Sequence, residues 1–589
     1  MRILIRVVCL FGLLLLAGAA PAQEEGTVAG ALGAELDRYL RGLESFGFAG
    51  AAVVARDGAV VLEKGYGVAD RETDRAVTSA TVFTTGSITK QFTGAAILKL
   101  EDSGKLSVDD KIIEYFDDVP PDKQGITIHH LLTHSAGFPG AIGDDFGDDT
   151  RDSFLNEVLA TELLFEPGAA HEYSNVGYSL AAIIVEIVSG TGYEQFLVDE
   201  LFTPVGMRRT GYTLPGYAGD EVAVGYRGDR RWGTFIERPS YVRGPSWNLK
   251  GNGGIQTTVS DMYRWHLALA GDDLLSPEAK VKYFGRHIDE GFGDSWYGYG
   301  WSISDTSRGT TRIAHNGGNS IFSADFHRYV DEDVVVFVTS SSSEFFIDPI
   351  SRSLAAIVFG EPFTMPPLLI DWSRPGEDPS VLDDYAGTYR LDANSTISVR
   401  REGDQLRLAA AGANARNLLI GGVGGTPDER IDTVAARTAE IVNQWIAGDV
   451  RGIHQAFGGR RPLAELEGSL ANFRRMREGQ YGALQSAEVG NVLPADGGLR
   501  AYVGMRHADG RAWVIFVWRD GELEAIEPVR ELPRLISAVF PTSPTEFTSF
   551  DLRSPIRVRI RFEPPTGGGR TLIFSTPVGE VRLTNPVHQ

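Results

Sequence analysis

Five prolines, Pro362, Pro366, Pro367, Pro375 and Pro379, fall within residues 361–380. Proline has no amide hydrogen, clashes inside a helix and drives the residue before it out of helical conformation. No helix or central strand can run through this stretch, so it cuts the chain in two, and we read 361–379 as a linker. At about 100–200 residues per domain, a chain of 589 residues should hold two to four domains. Its composition, 42% apolar and 23% charged, is that of an ordinary globular protein.

The first 22 residues have a different texture. Arg2 and Arg6 form a basic start, Val7–Ala17 is apolar, and Ala20-Pro21-Ala22 supplies small residues for cleavage. This reads as a signal peptide cleaved after Ala22, so the mature chain is expected to be secreted or periplasmic. The apolar run is shorter than the roughly 20 residues a membrane span needs, and no later segment is apolar enough to predict one. The only cysteine, Cys9, lies inside this segment. The mature chain therefore has no thiol for disulfides, nucleophilic catalysis or metal binding. Loss of Arg2 and Arg6 takes the net charge from −22 to −24. An acidic chain is a poor match for nucleic acid, which demands clustered Lys and Arg.

Ahead of the linker, residues 23–360 mix strands and helices. Residues 50–63 read as a hairpin turning at Arg56-Asp57-Gly58. Residues 87–103 read as a helix stopped by Gly104, and 176–189 as a second, apolar one. Val334–Thr339 is a continuous apolar run suited to a strand buried on both faces. Strands, then helices, then strands again imply one antiparallel sheet closed by both ends of the domain around a helical region, an α+β fold.

Behind the linker, 385–391, 396–400 and 405–409 read as short strands, with Gly403-Asp404 turning one hairpin. Ile556, Val558, Ile560 and Phe562 alternate with Arg557, Arg559 and Arg561, giving a strand with one buried and one wet face. Between these sets, Asp432 is positioned to cap a helix carrying Val434, Ile441, Val442 and Trp445. Leu463, Leu466, Leu470 and Phe473 mark another helix, and 502–506 and 512–518 read as strands. The expected organisation is a β-barrel-like domain over 380–425 and 546–589, interrupted by an α+β insert over 426–545.

Three short motifs carry chemistry. In Ser87-Ile88-Thr89-Lys90, residues three apart share a helix face, so Lys90 can reach the Ser87 hydroxyl. A serine hydroxyl needs an adjacent base, and a lysine serves only when desolvation or nearby positive charge holds it neutral. Tyr173-Ser174-Asn175 offers a phenol to pass a proton and an amide to orient the lysine or meet a substrate carbonyl. In His315-Asn316-Gly317-Gly318, glycine lets a strand approach a substrate closely, and the Gly318 amide can complete an oxyanion hole with that of Ser87. Ser-x-x-Lys, Tyr-x-Asn and His-x-Gly each occur once, in this order.

With these motifs the sequence resembles the serine β-lactamase and penicillin-binding-protein superfamily. It is most similar to the class C β-lactamase-related group of esterases, D-aminopeptidases and alkaline D-peptidases. Segments 83–93, 128–139, 253–261 and 297–301 share the resemblance, which covers about residues 30–360. It implies a β-lactamase/DD-peptidase-like catalytic domain with Ser87 as acylated nucleophile, Lys90 as its base and Tyr173 as proton shuttle. It places Asn175, His315, Asn316, Gly317 and Gly318 against the substrate. His315 stands where many β-lactamases have the lysine of Lys-Thr-Gly, which with the threonine helps bind the β-lactam carboxylate. This departure favours small ester or peptide substrates, those with D-residues included, over β-lactams. The alternatives are a β-lactamase or DD-peptidase, and a non-catalytic sensor. The barrel strands resemble lipocalin-like domains, and the insert resembles folds of the nuclear-transport-factor-2 type. No cofactor is expected. His129, His130 and His134 lack a His-Glu-x-x-His pattern, so no metal is expected either, and no Gly-x-Ser-x-Gly elbow is present.

Overall fold

The computed structural model describes residues 26–585, except 229, 243, 292–293, 320, 343–346, 371, 373–377, 394, 412–414, 416–417, 421–428, 461, 496–497, 509, 530–535, 551–557, 566–568 and 577–578. The expected signal peptide, residues 1–22, lies outside this set.

The apolar run at 334–340 forms a strand whose every residue is buried. It pairs antiparallel with Gly50–Arg56, setting Val336 opposite Val54. The two ends of the N-terminal part thus meet at the middle of a nine-stranded sheet. Its strands run in the order 27–28, 59–66, 50–56, 334–340, 322–329, 311–319, 302–305, 295–297 and 288–289. The hairpin turn holds Asp57 and Gly58 at φ 52° and 72°, the left-handed pair that matches the twist of the flanking strands.

Helices cover both faces of this sheet. Gly30–Glu44 and Ile347–Phe359 pack Leu36, Tyr39, Leu40 and Leu354 against Val54, Val336 and Val338 on one side. The other side carries the larger core, in which Thr89–Asp102 and Asn175–Ser189 lie side by side. Residues 176–185 of the latter are all buried, which explains an apolar surface on every side of the helix. Among the described residues no single helix is long and apolar enough to cross a membrane; only the pair 175–189 and 193–202, bent by 78°, passes on length and composition together.

The C-terminal part contains a closed barrel of eight strands: 387–392, 395–402, 405–411, 538–541, 546–548, 559–562, 571–576 and 579–584. Arg390 opposite Thr584 closes it. Between the third and fourth strands the chain forms helices Glu429–Ile446, Arg451–Ala456 and Leu463–Tyr481. A four-stranded sheet over 484–529 follows, and these elements have their own apolar core. Three details differ from expectation. The barrel resumes at Ala538 rather than 546, because buried Val539 pairs with Leu406; this four-residue strand ending in Pro541 is too short to show an alternating pattern. The helix expected to start after Asp432 begins at Glu429. Of the alternating arginine strand, Arg559–Phe562 is observed, whereas Ile556 and Arg557 lie outside the described residues.

The two parts touch. Phe46 meets the rings of Phe540 and Phe550 at 4.9 and 4.1 Å, Pro366 packs on Gly42, and the Ile370 amide donates to the Pro541 carbonyl at 3.1 Å.

Candidate active site

Ser87 lies in a short 3-10 turn, Gly86–Ile88, that leads into the helix Thr89–Asp102. The turn is fixed because its neighbours are: Thr85 donates through its hydroxyl to the Ile255 carbonyl at 3.0 Å, and the Ile255 amide donates to Thr89 Oγ1 at 3.2 Å. Lys90 Nζ stands 3.1 Å from Ser87 Oγ. The amine also meets Asn175 Oδ1 at 2.7 Å and the Asn252 carbonyl at 2.8 Å. No described carboxylate makes an ion pair with it, and burial pushes its pKa well below the usual lysine value, with Asp145 pulling the other way.

The hydrogen bonds specify how this amine points once it has lost its proton. A neutral amine has two N–H bonds and one lone pair. Asn175 Oδ1 and the Asn252 carbonyl only accept, so they take the two N–H bonds. The lone pair then faces the Ser87 hydroxyl, which donates to it. This is the orientation a base needs toward its nucleophile.

Tyr173 lies over Lys90, whose Nζ is 4.8 Å from the ring centroid. Its hydroxyl interacts with Ser87 but falls short of full hydrogen-bond geometry and has no hydrogen-bond partner among the described residues. It is thus left open toward the serine rather than locked elsewhere. Burial raises its pKa, so the phenol keeps its proton. Burial pushes the lysine toward its neutral form and the tyrosine toward its protonated one, so of the two the lysine is the one suited to act as a base.

His134 sits behind this pair. It adopts φ 59°, its Nδ1 accepts from the Ser174 amide at 3.0 Å, and its ring lies 4.3 Å from that of Tyr173. It thereby fixes the loop carrying Tyr173 and Asn175. His129 and His130 serve other contacts: His129 Nδ1 bonds the Tyr299 hydroxyl at 2.8 Å, and His130 Nδ1 accepts from the Thr127 amide at 3.2 Å. Among the described residues no group of three or more His, Cys, Asp or Glu is placed to hold a metal.

The strand Thr311–Asn319 brings the third motif to the serine. His315 is buried, its Nε2 bonded to the Tyr297 hydroxyl at 2.9 Å. Burial, with Lys90 nearby, lowers its pKa to about 4, so it is neutral near pH 7. Asn316 and Gly318 lie on the exposed side of the strand. A Cβ added at Gly317 would collide with the Thr85 carbonyl and lie 2.8 Å from the Ser87 nitrogen; one at Gly86, where φ is +54°, would collide with the Gly318 nitrogen. Only glycine permits so close an approach, and it brings the amides of Ser87 and Gly318 together as an oxyanion hole requires.

Ser87, Lys90, Tyr173, Asn175 and the 315–318 strand therefore share one site. Sequence reasoning missed four contributors. Asn252 acts through its carbonyl, which carries no side-chain signature, and it is fixed by Nδ2 donating to Ser179 Oγ and the Asn248 carbonyl at 2.8 and 2.7 Å. Tyr297 and His134 lie within segments already singled out. Asp145 lies on the loop before helix Arg151–Ala160, in a stretch with four aspartates between 144 and 149 and no spacing that marks one of them.

Comparison with known proteins agrees with this geometry. The beta-lactamase family model matches residues 36–356. Penicillin-binding protein 4* of Bacillus subtilis is 29% identical over 396 residues, covering 63% of this chain and 85% of that protein. The putative penicillin-binding protein PbpX of the same organism is 33% identical over 255 residues, covering 43% and 63%. The octameric penicillin-binding protein homologue of Pyrococcus abyssi superposes with a TM-score of 0.52 at 19% identity, covering 94% of this chain and 99% of that one; at that identity it speaks to the fold alone.

Proposed function

From the premise that this chain belongs to the beta-lactamase family of serine hydrolases, we propose that it is an exported hydrolase working through a Ser87 acyl-enzyme on small esters or peptides. The observation that carries the reading is the buried Lys90 amine, bonded to Asn175 Oδ1 and the Asn252 carbonyl and 3.1 Å from Ser87 Oγ. The reading of residues 1–22 as a signal peptide supports export.

The steps follow from the geometry. Lys90 accepts the Ser87 proton as Oγ attacks the substrate carbonyl carbon. The negative oxygen is held by the amides of Ser87 and Gly318. The tetrahedral intermediate collapses when a proton, relayed through Tyr173, reaches the leaving nitrogen or oxygen. Water then adds to the acyl-enzyme, gives a proton back through the same groups, and releases the acid. Asn175 positions both the lysine and the substrate, and Asn316 lines the cleft. The neutral His315 offers no fixed positive charge to a substrate carboxylate, which favours esters and peptides over β-lactams.

A fluorophosphonate probe and p-nitrophenyl acetate test the reading. The protein should be labelled and should turn over the ester, and Ser87→Ala should abolish both, a loss of roughly 10⁴–10⁶ in rate by analogy with serine-protease triads. Undiminished turnover in Ser87→Ala would remove the nucleophile assignment. Permanent labelling without turnover would point to a sensor, and fast release after penicillin acylation to a β-lactamase.

A further inference from the structure

A second recess lies toward the other end of the strand Phe322–Tyr329 from the serine. Ser323 of that strand stands opposite Gly318, and Arg328 stands opposite Val335. Five residues of strand, roughly 17 Å, therefore separate this recess from the oxyanion glycine. It is a cavity of about 520 Å³, within the roughly 300–1,000 Å³ of small-molecule sites. Helices Val259–Ala270 and Pro277–Tyr283 and the turn after Tyr329 enclose it. Leu269, Pro277 and Phe284 give it apolar walls. Two further lining residues, Val281 and Val330, are 75% and 41% exposed, so its rim offers apolar surface to solvent.

The cavity also holds an unmatched charge. Arg328 lines it and is only 3% exposed. Its Nε donates to His266 Nδ1 at 3.2 Å, the one hydrogen bond its side chain makes to a described residue, and Nη1 is buried with no partner among them. The guanidinium lies against the rings of Phe284 and Trp301, 5.2 and 6.0 Å from their centroids. Those contacts hold it in place but use none of its N–H bonds. Asp333 acts on its charge from the rim, yet that carboxylate stands half in water and makes no ion pair with it. Lys280 is spoken for: it donates to the Gly271 carbonyl at 3.0 Å and pairs with Asp272. His266 is left with a donor as well. Burial, with Arg328 beside it, lowers its pKa to about 3, so the ring is neutral. Its Nδ1 accepts, so its hydrogen is on Nε2, 4.0 Å from Asp333 and beyond hydrogen-bond distance. A buried cation is costly until a counter-ion meets it.

We propose that this cavity binds a small monocarboxylate with an apolar body, its carboxylate paired with the terminal nitrogens of Arg328 and its body laid against Leu269, Val281 and Phe284. The donor set selects the class. The planar guanidinium matches a carboxylate geometrically, and such a charge-assisted pair is stronger than a neutral hydrogen bond. A phosphate would bring two negative charges to one free cation, with the carboxylates of Asp272 and Asp333 close by, and it has no apolar part to cover the walls. A neutral ligand would leave the Arg328 charge unmatched. The site goes beyond the hydrolase reading and does not depend on it, since Ser87, Lys90, Tyr173 and His315 take no part in its lining.

The test titrates the full chain with sodium hexanoate, sodium phenylacetate, hexanamide and inorganic phosphate. It reads binding by isothermal titration calorimetry and the ring signals of isotope-labelled histidines by NMR. Hexanoate should bind about 10- to 100-fold more tightly than hexanamide, the range of a hydrogen bond to a charged group, and phosphate should not displace it. The ring signal of His266, identified by its loss in His266→Gln, should move on binding while that of His315 stays in place. Arg328→Gln should lower hexanoate affinity to that of hexanamide. Val281→Trp alters an exposed helix position, leaves the core alone and should weaken binding by filling the cavity, so it decides the matter if Arg328→Gln fails to fold. Neither variant needs catalytic turnover for its readout, so failure of this proposal and failure of the acyl-enzyme reading are told apart. Absence of binding by both acids overturns the proposal, as does equal binding of hexanamide or full affinity in the folded variants. A moving His315 signal with a stationary His266 overturns it too, because the acid would then sit beside Ser87.

Discussion

The catalytic part and the barrel bury very different interiors. In the barrel, Tyr385, Tyr389, Phe547, Phe562 and Phe574 pack ring against ring and aliphatic chain, and Ser395, Thr548 and Ser549 are its few buried polar residues among those described. The catalytic part buries Lys90, His134, His315, Asp325, His327 and Arg328. Buried polar groups cost several kcal/mol each unless compensated. Some of them compensate one another structurally: Asp325 pairs with His327 at 3.0 Å and accepts from Ser351. Lys90 and His315 are different, because burial lowers the pKa of each, that of His315 to about 4. Where the barrel interior is organised for stability, the catalytic interior holds its groups in chosen protonation states.

If so, matched substitutions in the two interiors should fail in different ways. Lys90→Ala should lower kcat/KM for p-nitrophenyl acetate by about 10²–10⁴, the range for loss of a positioned base, while the folded circular-dichroism spectrum persists. Phe574→Ala, in the barrel core, should cost about 3–5 kcal/mol of barrel stability, read as an earlier unfolding transition. Below that transition it should leave ester hydrolysis within about twofold. A large loss of rate in Phe574→Ala would show that the barrel shapes the site and would break the contrast.

Gly317→Ala should fall between these. The added methyl collides with the Thr85 carbonyl and must push the strand away from the serine turn. Removing an oxyanion-hole donor costs about 10²–10³ in kcat, and a loss of that size is expected here with KM little changed. Overpacking of about 1–3 kcal/mol should accompany it. Full activity in this variant would mean that the amides of Ser87 and Gly318 need not stand so close.

Acid should separate the two parts further. His315 titrates at about 4 in the folded protein and at about 6.5 when unfolded. Below pH 6.5 the unfolded chain therefore binds a proton the folded one refuses. Stability present above pH 6.5 is lost as pH falls toward about 4, at about 1.4 kcal/mol per pH unit for this one group. His129 and His171, also lowered to about 4 by burial, act in the same direction. Hydrogen exchange between pH 7 and 4.5 should show the 50–340 region opening before the barrel. Simultaneous opening would make the two interiors one cooperative unit.

How much of this was legible in the sequence depended on whether the chemistry lives in side chains at fixed spacing. The convergence of Ser87, Lys90, Tyr173, Asn175 and the 315–318 strand was legible, because the proposed nucleophile, its proposed base and a glycine approach each demand a residue type at a set distance. The Asn252 carbonyl was not, since any residue supplies one. Asp145 was hidden among four aspartates between 144 and 149, and only the fold shows which of them acts on Lys90. In the sheet, 50–63 and 334–339 declared themselves through turn residues and an unbroken apolar run. The strands 288–289, 295–297 and 302–305 toward one end of the sheet are too short to carry a period. The barrel strand 538–541 escaped for the same reason.

The smallest expected effect tests the boundary itself. The insert reaches the catalytic part through helix Leu463–Tyr481: Asn472 lies close to Gly291, and Arg477 acts on Glu172, the residue before Tyr173. Burial raises the Glu172 carboxyl, and Arg477 offsets part of that rise. Because Glu172 is only half-buried, the interaction should be of the kind worth about 0.2–1 kcal/mol. Arg477→Ala should therefore change kcat/KM for p-nitrophenyl acetate by no more than about fivefold. The change should grow as salt is lowered, since screening weakens such pairs. The sign follows from Glu172: without Arg477 its carboxyl titrates higher, so the variant's profile should depart from wild type on the acid side. No change at any pH or salt would make the insert a neighbour without influence and sharpen the contrast between the two parts. A loss beyond about tenfold would make Arg477 part of the working site, and the division drawn at the proline-rich segment would then mark a boundary of folding but not of function.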